Sequence, residues 1–318
     1  MEYAIGCDVG GSFVKMGLVA RGGEVLHQEN LPLLRPETPF RLATWLSETL
    51  EKFLKKTLPK GATFLGAGIG IPGPLRYPEG ILFDPPNLPF QGKIPLGPLF
   101  REVYPHAAFF DNDATIQTLG EQWQGLGRGL RAFLYLAFGT GIGGGIVIDG
   151  KIYRGISGFG GEIGHITVNF QGRRCHCGAR GCMEAYASIT GIANSLREEY
   201  PHLPPDISKA LERKELHLLP NLLVDKLSRG ETQWRRVWEI FADALGAGMG
   251  SLINLFNPER IIISGGLSHY ADHFLPRAVE QSRRFSFRHP ARDCNVVVSQ
   301  LKNRAGILGA ALLVFQNG

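Results

Sequence analysis

The sequence predicts an α/β protein made of two related halves, and three observations carry that prediction. An apolar strand, a glycine-rich turn and a second apolar strand follow one another at residues 3–19, and the same plan returns at residues 131–150. A third, weaker echo runs from Arg260 through Ser264 to Gly265 and Gly266. Glycine is the compositional anomaly, with 42 of 318 residues against a usual share of roughly 7%. Eleven of these glycines fall between Gly139 and Gly164, interleaved with Phe, Ile and Val. Such a pattern marks backbone that turns tightly or approaches a ligand, rather than flexible linker.

In chain order, residues 3–8 form an apolar strand, 9–12 a tight turn and 13–19 the returning strand, with a second hairpin turn at Arg21, Gly22 and Gly23. A helix is expected over 39–58, with Phe40, Trp45, Leu46, Leu50, Phe53 and Leu54 on one face. Residues 65–71 read as a strand that stops at Pro72-Gly73-Pro74, and the proline-rich stretch 77–98 reads as loop. An apolar run at 107–110 precedes a helix over 114–123, and the expected boundary between the halves lies near Phe110. The second half opens with a strand at 131–138, a turn at 139–145 and a returning strand at 146–150. Helices over 231–256 and 303–315 complete the reading. The resulting domain division is 1–112 plus 303–318 for one lobe and 113–302 for the other.

Composition narrows the function. Apolar residues make up 44% and charged residues 20%, which excludes a disordered or collagen-like chain. The net charge of +5 suits a polyanionic small ligand but is too diffuse to indicate nucleic acid. The densest basic stretch (Arg283, Arg284, Arg288, His289, Arg292) reads as a solvated helix face. The longest uncharged run, 132–148, carries five glycines and is a hairpin rather than a membrane span. The first residues lack the basic segment of a secretion signal, and three of five cysteines crowd together, so a cytoplasmic protein is expected.

Two nucleotide motifs are met on pattern and fail on context. Gly139, Gly141 and Gly144 satisfy G-x-G-x-x-G, but a strand follows where a dinucleotide fingerprint must open a helix. Gly145-x4-Gly150-Lys151 approaches a P-loop, but Ile152 stands where a hydroxyl must hold magnesium. The two glycine-rich hairpins taken together say more, because such turns expose runs of N–H that cradle phosphate oxygens. Asp8 stands before the first turn, where it could position a hydrated magnesium ion; Ser12 and Lys15 follow, and Thr140 supplies a hydroxyl in the second. Asp111-Asn112-Asp113 ends an apolar strand and precedes a helix; its residues suit either a helix N-cap or a general base. Cys175-x-Cys177-x4-Cys182, bent by Gly178 and Gly181, has the spacing to wrap one tetrahedral ion. His165 is the better fourth ligand; His176, flanked by two cysteines, has little freedom to turn inward. No basic recognition helix follows, so the loop reads as a structural zinc site.

Four segments together resemble the ROK family (repressors, open reading frames, sugar kinases). They are Asp8-Val-Gly-Gly-Ser-Phe-Val-Lys15, Gly139-Thr-Gly-Ile-Gly-Gly-Gly145, Gly161-Glu-Ile-Gly-His165 and Cys175-His-Cys-Gly-Ala-Arg-Gly-Cys-Met-Glu184. The resemblance implies a two-lobed actin/hexokinase-type (ribonuclease H-like) ATPase fold with a central cleft that closes on sugar and ATP. It implies transfer of the γ-phosphoryl group of ATP to a hexose hydroxyl, usually that on carbon 6, with ATP, Mg2+ and structural Zn2+ as the small-molecule partners. By matching position, Asp113 is the catalytic base, and Asn87, Asn112, Glu162, His165 and Glu184 hold sugar hydroxyls. Phosphate and nucleotide contacts fall to Asp8, Gly10, Gly11, Ser12, Lys15, Gly139, Thr140, Gly141, Gly143, Gly265 and Gly266. Zinc falls to His165, Cys175, Cys177 and Cys182. Ser12 replaces the commoner Thr, and Phe90-Gln91 and Thr115-Ile116-Gln117 depart from the family pattern beside presumed sugar contacts. Glucose is the favoured sugar, with N-acetylglucosamine, N-acetylmannosamine, mannose and fructose as alternatives. Family repressors carry a helix-turn-helix before the first phosphate turn, and seven residues precede Asp8 here, so an enzyme without DNA binding is expected. A catalytically dead sugar sensor is disfavoured by the intact Asp8, Asp113 and glycine turns. Related proteins commonly form homodimers or higher homo-oligomers. Gly246, Gly248 and Gly250 have no assigned role at this stage.

Overall fold

The computed structural model describes residues 1–85 and 88–317. The chain begins β1 (Glu2–Val9), β2 (Phe13–Ala20), β3 (Val25–Pro32), α1 (Pro39–Thr57) and β4 (Thr63–Ile71). Three short strands follow, β5 (Leu75–Arg76), β6 (Ile81–Phe83) and β7 (Lys93–Ile94), then α2 (Leu96–Val103), β8 (Ala108–Asn112) and α3 (Asp113–Gln124). Next come β9 (Phe133–Phe138), β10 (Ile142–Ile148), β11 (Lys151–Ile152), α4 (Ile189–Glu199), α5 (Pro205–Glu212) and α6 (Leu219–Ser228). The chain closes with α7 (Arg235–Phe256), β12 (Arg260–Ser264), α8 (Ala271–Phe285), α9 (Arg288–Asp293), β13 (Asn295–Val298) and α10 (Arg304–Asn317).

Two five-stranded sheets repeat one plan, ordered β3-β2-β1-β4-β8 and β11-β10-β9-β12-β13. In each, a hairpin supplies the first strands, and two later strands join parallel to the first. This internal duplication is the one expected from the repeated strand–turn–strand pattern. The stretch 77–98, expected as loop, instead holds β6, β7 and the start of α2, with β5–β7 forming a small sheet. Runs of two or three strand residues are too short for periodicity to reveal.

Residues cluster into two compact units. The first comprises Met1–Leu130, Gly145–Gly161 and the stretch from Gln300; the second comprises Arg131–Gly144 and Glu162–Ser299. The expected boundary at 112/113 falls inside the first unit, between β8 and α3. In the first unit α10 is apolar on every side, because it packs on the β1/β4 sheet and on α3 at once. Gly120 of α3 lies against Ala305 backbone and Gly309 of α10 against Ile116 backbone, so the two helices approach at backbone distance. Helix α1 starts at a Thr38 cap that accepts the Arg41 N–H, with Pro39 in the first turn. Its buried stripe runs through Leu42, Leu46, Leu50, Phe53 and Leu54; Phe40, expected on that face, is exposed because it lies at the helix start.

The second unit centres on Phe138, Trp238, Phe241 and Phe274, all fully buried. Gly246 and Gly250 of α7 face α8, where any side chain would collide with Gln281, Ala278, Ser282 or Phe285, while Gly248 faces Met183. Close helix packing is therefore the role of Gly246 and Gly250, and Gly248 makes room for the Met183 side chain. The basic stretch around Arg284 and Arg292 lies at the ends of α8 and α9, exposed and paired locally with Glu280 and Asp293. Among the described residues, no helix is long and apolar enough to cross a membrane.

Candidate functional site

In the first unit the site residues expected from the sequence gather at the carboxyl ends of three parallel strands. Register places Asp8 of β1 opposite Gly70 of β4, and Gly70 opposite Asp111 of β8. The β1–β2 turn closes on itself: Gly10 N–H donates to the Phe13 carbonyl at 2.8 Å, and Leu33 N–H to the Ser12 carbonyl at 2.9 Å. Arg35 donates to the Gly11 carbonyl at 2.6 Å. Lys15 reaches the Asn303 side chain at 2.9 Å. Asp8 is buried; Gly306 of α10 abuts its carboxylate so closely that a Cβ would overlap it, and Gln117 of α3 stands 3.5 Å from Oδ2. Burial pushes the Asp8 carboxyl up to about 6, with Lys15 and Gln117 acting in the opposite sense.

The β8–α3 junction shows which residue caps the helix. Asn112 is the N-cap: its Oδ1 accepts from Ala114 N–H at 2.9 Å and Thr115 N–H at 3.1 Å. Its Nδ2 donates to the Gly73 carbonyl at 3.1 Å, so both ends of the side chain are held by backbone. Asp113 is then the first helical residue, half-buried, with Oδ1 3.0 Å from the Ala114 nitrogen. Asn87 lies outside the described residues.

In the second unit the β9–β10 hairpin is tied from two directions. The Gly139 carbonyl accepts from Ile189 N–H at 3.0 Å, and the Thr140 carbonyl from the Thr190 hydroxyl at 2.8 Å, both at the start of α4. From beneath, Glu184 Oε2 accepts the Ile142 N–H at 2.8 Å, and Gly141 leaves no room for a Cβ beside that carboxylate. Gly143 lies half-buried on β10. Strands β9 and β12 run parallel with Ala137 opposite Ser264, so Gly139 and Gly265 end neighbouring strands at one edge. Gly265 has φ +82 and presses on Phe138 backbone, a conformation and an approach that only glycine tolerates. Gly266 has open space where a side chain would be. Glycine turns at the carboxyl edge of parallel strands form the general location of ligand sites in α/β sheets.

The structure brings the expected zinc ligands together. One ligand atom from each of His165, Cys175, Cys177 and Cys182 lies within 4.8 Å of the others. Cys177 and Cys182 sulfurs are 3.7 Å apart, and Cys175 Sγ is 3.6 Å from His165 Nδ1. A tetrahedron of bonds of about 2.3 Å has edges of about 3.8 Å, so the donor set fits a zinc ion. His176 points its Nδ1 at Glu184 Oε1, 3.0 Å away, and stays beside the four donors. Glu184, buried, thus links this loop to the hairpin: Oε1 faces His176, and Oε2 holds Ile142. Glu162 opens the short turn that carries His165 and stands open to solvent on one side. Burial of its other side pushes its carboxyl up; His165 pulls it down, and Glu184 adds to the rise.

Sequence reasoning noted Gln117 only as part of a departure from the family pattern and missed its reach to Asp8, and it missed Arg154, which donates twice to Asp111. Neither lies in a motif, and each finds its partner only through folding.

Comparison with known proteins agrees with this geometry. The ROK family model matches residues 4–317, and the chain belongs to the ROK family. Its fold is of the actin/hexokinase type shared by the family's sugar kinases. Among its relatives, a glucokinase from Thermotoga maritima is 33% identical over 310 residues, spanning 98% of this chain and 96% of that protein. A xylose repressor from Caldicellulosiruptor bescii is 32% identical over 315 residues, spanning 98% of this chain and 78% of the repressor. A ROK family glucokinase from Streptomyces griseus, solved with glucose and AMPPNP, superposes with a TM-score of 0.78 at 25% identity, covering 99% of this chain and all of that one.

Proposed function

We propose that the protein is an ATP-dependent hexose kinase, with glucose as the favoured substrate and the 6-hydroxyl as the acceptor. The observation that carries this reading is the division of labour at the β8–α3 junction. Asn112 caps α3 through its Oδ1 while its Nδ2 is held by the Gly73 carbonyl, so the capping role does not fall to Asp113, which stands at the same sheet edge as the Asp8 hairpin. A regulator that only senses sugar needs no base there. Similarity to glucokinases over nearly their whole length supports the same conclusion.

In this mechanism Asp113 accepts the proton of the sugar hydroxyl as its oxygen attacks the γ-phosphorus, and ADP leaves with the bridging oxygen. Glu162, His165 and Glu184 hold sugar hydroxyls, Glu184 from a buried position fixed by Ile142; Asn112 contributes while capping α3. Gly10 and Gly139 close their own turns with their N–H groups, which leaves the N–H groups of Gly11 and Ser12 in the first turn and of Thr140 and Gly141 in the second to receive phosphate oxygens; Lys15 and the Thr140 hydroxyl add donors, Gly143 follows on β10, and Gly265 and Gly266 lie beside the adenosine. Asp8 would hold the water shell of a magnesium ion bound with ATP, and that ion would supply neutralisation of the phosphate charge. His165, Cys175, Cys177 and Cys182 would hold zinc as a purely structural ion, since four protein ligands leave no open position.

Two further readings have a specific basis. An N-acetylhexosamine kinase is one, because Thr115, Ile116 and Gln117 alter the family pattern next to Asp113. A sugar-responsive regulator is the other, given the xylose repressor's similarity. An ATP-consumption assay over hexoses and N-acetylhexosamines separates all three. Asp113→Asn should bind sugar nearly as the parent does and lose turnover by about 10²–10⁴-fold. Undiminished turnover in that variant removes Asp113 from the mechanism, and no turnover on any sugar in the parent overturns the enzyme reading.

A further inference from the structure

We infer that Arg154 is a positioning residue for the base-bearing turn and acts through Asp111. The inference rests on the reading of Asp113 as the base, and every member of the contact chain lies in the first unit. Arg154 follows β11, 43 positions from Asp111, and donates through both Nε and Nη2 to Asp111 Oδ2 at 2.9 and 2.7 Å. The other carboxylate oxygen, Oδ1, accepts the Asn112 N–H at 2.9 Å. Both oxygens of a carboxylate with 3% side-chain exposure are therefore committed, one to the guanidinium and one to the residue that caps α3. The next bonds in the chain are those of Asn112 to Gly73, Ala114 and Thr115, and Asp113 follows at the first helical position.

The guanidinium is itself fixed. It lies over the Tyr77 ring, 4.0 Å from the centroid, and its side chain is 19% exposed. Two donors on one oxygen together with ring stacking are properties of arginine that lysine does not reproduce. Burial raises the Asp111 carboxyl, and Arg154 is the first opposing influence, so the guanidinium favours the charged form inside the sheet edge. Without Arg154 that charge is left uncompensated one peptide from the cap. Asp111 must then take a proton or swing toward water, and either response disturbs the Asn112 N–H bond. A misplacement of about 1 Å at a reacting group costs about 10²-fold in rate. An ordinary structural ion pair would alter melting behaviour alone; a positioning pair alters turnover in the fully folded enzyme.

The test uses the full chain with Arg154→Met, Arg154→Lys and the double variant Arg154→Met/Asp111→Asn, assayed well below each unfolding midpoint. Arg154→Met should lower kcat by about 10–100-fold while KM for sugar and ATP stays within about twofold. Arg154→Lys, which keeps charge and loses the paired donors, should fall between that variant and the parent. The double variant removes the orphan charge along with the arginine and should recover most of the lost kcat. Amide hydrogen exchange at Ala114 and Thr115 supplies a readout that needs no activity: faster exchange in Arg154→Met, restored in the double variant. If kcat and exchange both stay at parent values, the proposal is wrong. If the parent phosphorylates no sugar yet exchange responds as described, the kinase reading fails and the Arg154–Asp111 clamp stands. Should Arg154→Met not fold, Arg154→Lys carries the same comparison, and parent-like kcat and exchange there overturn the clamp.

Discussion

The two glycine-rich hairpins look alike in sequence and are held in place by different means. In each, a glycine presses against a buried carboxylate: Gly306 against Asp8 at the first, Gly141 against Glu184 at the second. At the first hairpin the carboxylate belongs to the strand itself, and the glycine arrives from α10, nearly 300 residues on. At the second the glycine belongs to the hairpin, and the carboxylate arrives from the cysteine loop. The first turn thus rests on a sheet-and-helix core that needs no ion. The second rests on Glu184, whose own position depends on a loop with three thiols and His165. One hairpin is built in; the other is conditional on the loop.

The largest expected effect tests that distinction directly. Removing metal with a chelator, or replacing Cys177 with Ser, should destabilise the second unit by about 5 kcal/mol, the size typical of a lost structural metal. For a unit of this size that moves its unfolding midpoint by about 10–20 °C. Amide exchange should accelerate at Ile142 and stay unchanged at Gly10. Elemental analysis finding no zinc in purified protein, or equal acceleration at both amides, defeats the contrast.

The next effect concerns Asp8 and is a matter of pH. Its carboxyl rises from 3.8 to about 6 in the fold, so the native state binds the proton more tightly than the unfolded chain. The associated stability is present below the unfolded value near 4 and is lost as pH rises through about 6. The loss is about 3 kcal/mol, given about 1.4 kcal/mol for each unit. Urea titrations without magnesium should show stability falling between pH 4 and 6.5, and Asp8→Asn should remove that fall and be the more stable protein at pH 7. The same variant should bind Mg-ATP poorly. A parent whose stability rises across that interval, with Asp8→Asn no better at pH 7, shows that Asp8 is not strained by burial.

How much of this was legible beforehand follows from how local each signal is. The cysteine loop was readable because Cys175, Cys177 and Cys182 lie within eight residues, and the duplication because each hairpin is continuous in sequence. The cap at the β8–α3 junction was not, since Asp111, Asn112 and Asp113 are all cap-competent types. Only the backbone at Asn112, φ −67 and ψ 148 with its side chain turned onto the helix, decides among them. The Gly306–Asp8 and Arg154–Asp111 contacts were invisible because they join distant segments. The helix over 231–256 was legible despite its glycines, but the reason for them was not: Gly246 and Gly250 pack on α8, which outweighs about 1 kcal/mol for each glycine.

The smallest effect separates the two glycines that face carboxylates. Gly306→Ala places a Cβ in the first turn of α10, where alanine alone would favour the helix by at most about 1 kcal/mol. There it meets Oδ2, Cγ and Cβ of Asp8, so the clash involves the stem of a short side chain on a central strand with neighbours on both sides. Neither backbone can withdraw, and overpacking of this kind costs about 1–3 kcal/mol, so a net loss of up to about 2 kcal/mol is expected. Gly141→Ala meets Oε2 and Cδ of Glu184, the far end of a longer side chain that can turn away. Turning away gives up the Ile142 N–H bond, worth about 1 kcal/mol, and loosens the turn. Gly306→Ala should therefore lower stability more, and Gly141→Ala should raise KM for ATP about three- to tenfold with the smaller change in melting. If Gly306→Ala proves as stable as the parent, the carboxylate is not confined as the core packing requires. If Gly141→Ala leaves KM for ATP untouched, Glu184 does not hold the second hairpin for the nucleotide.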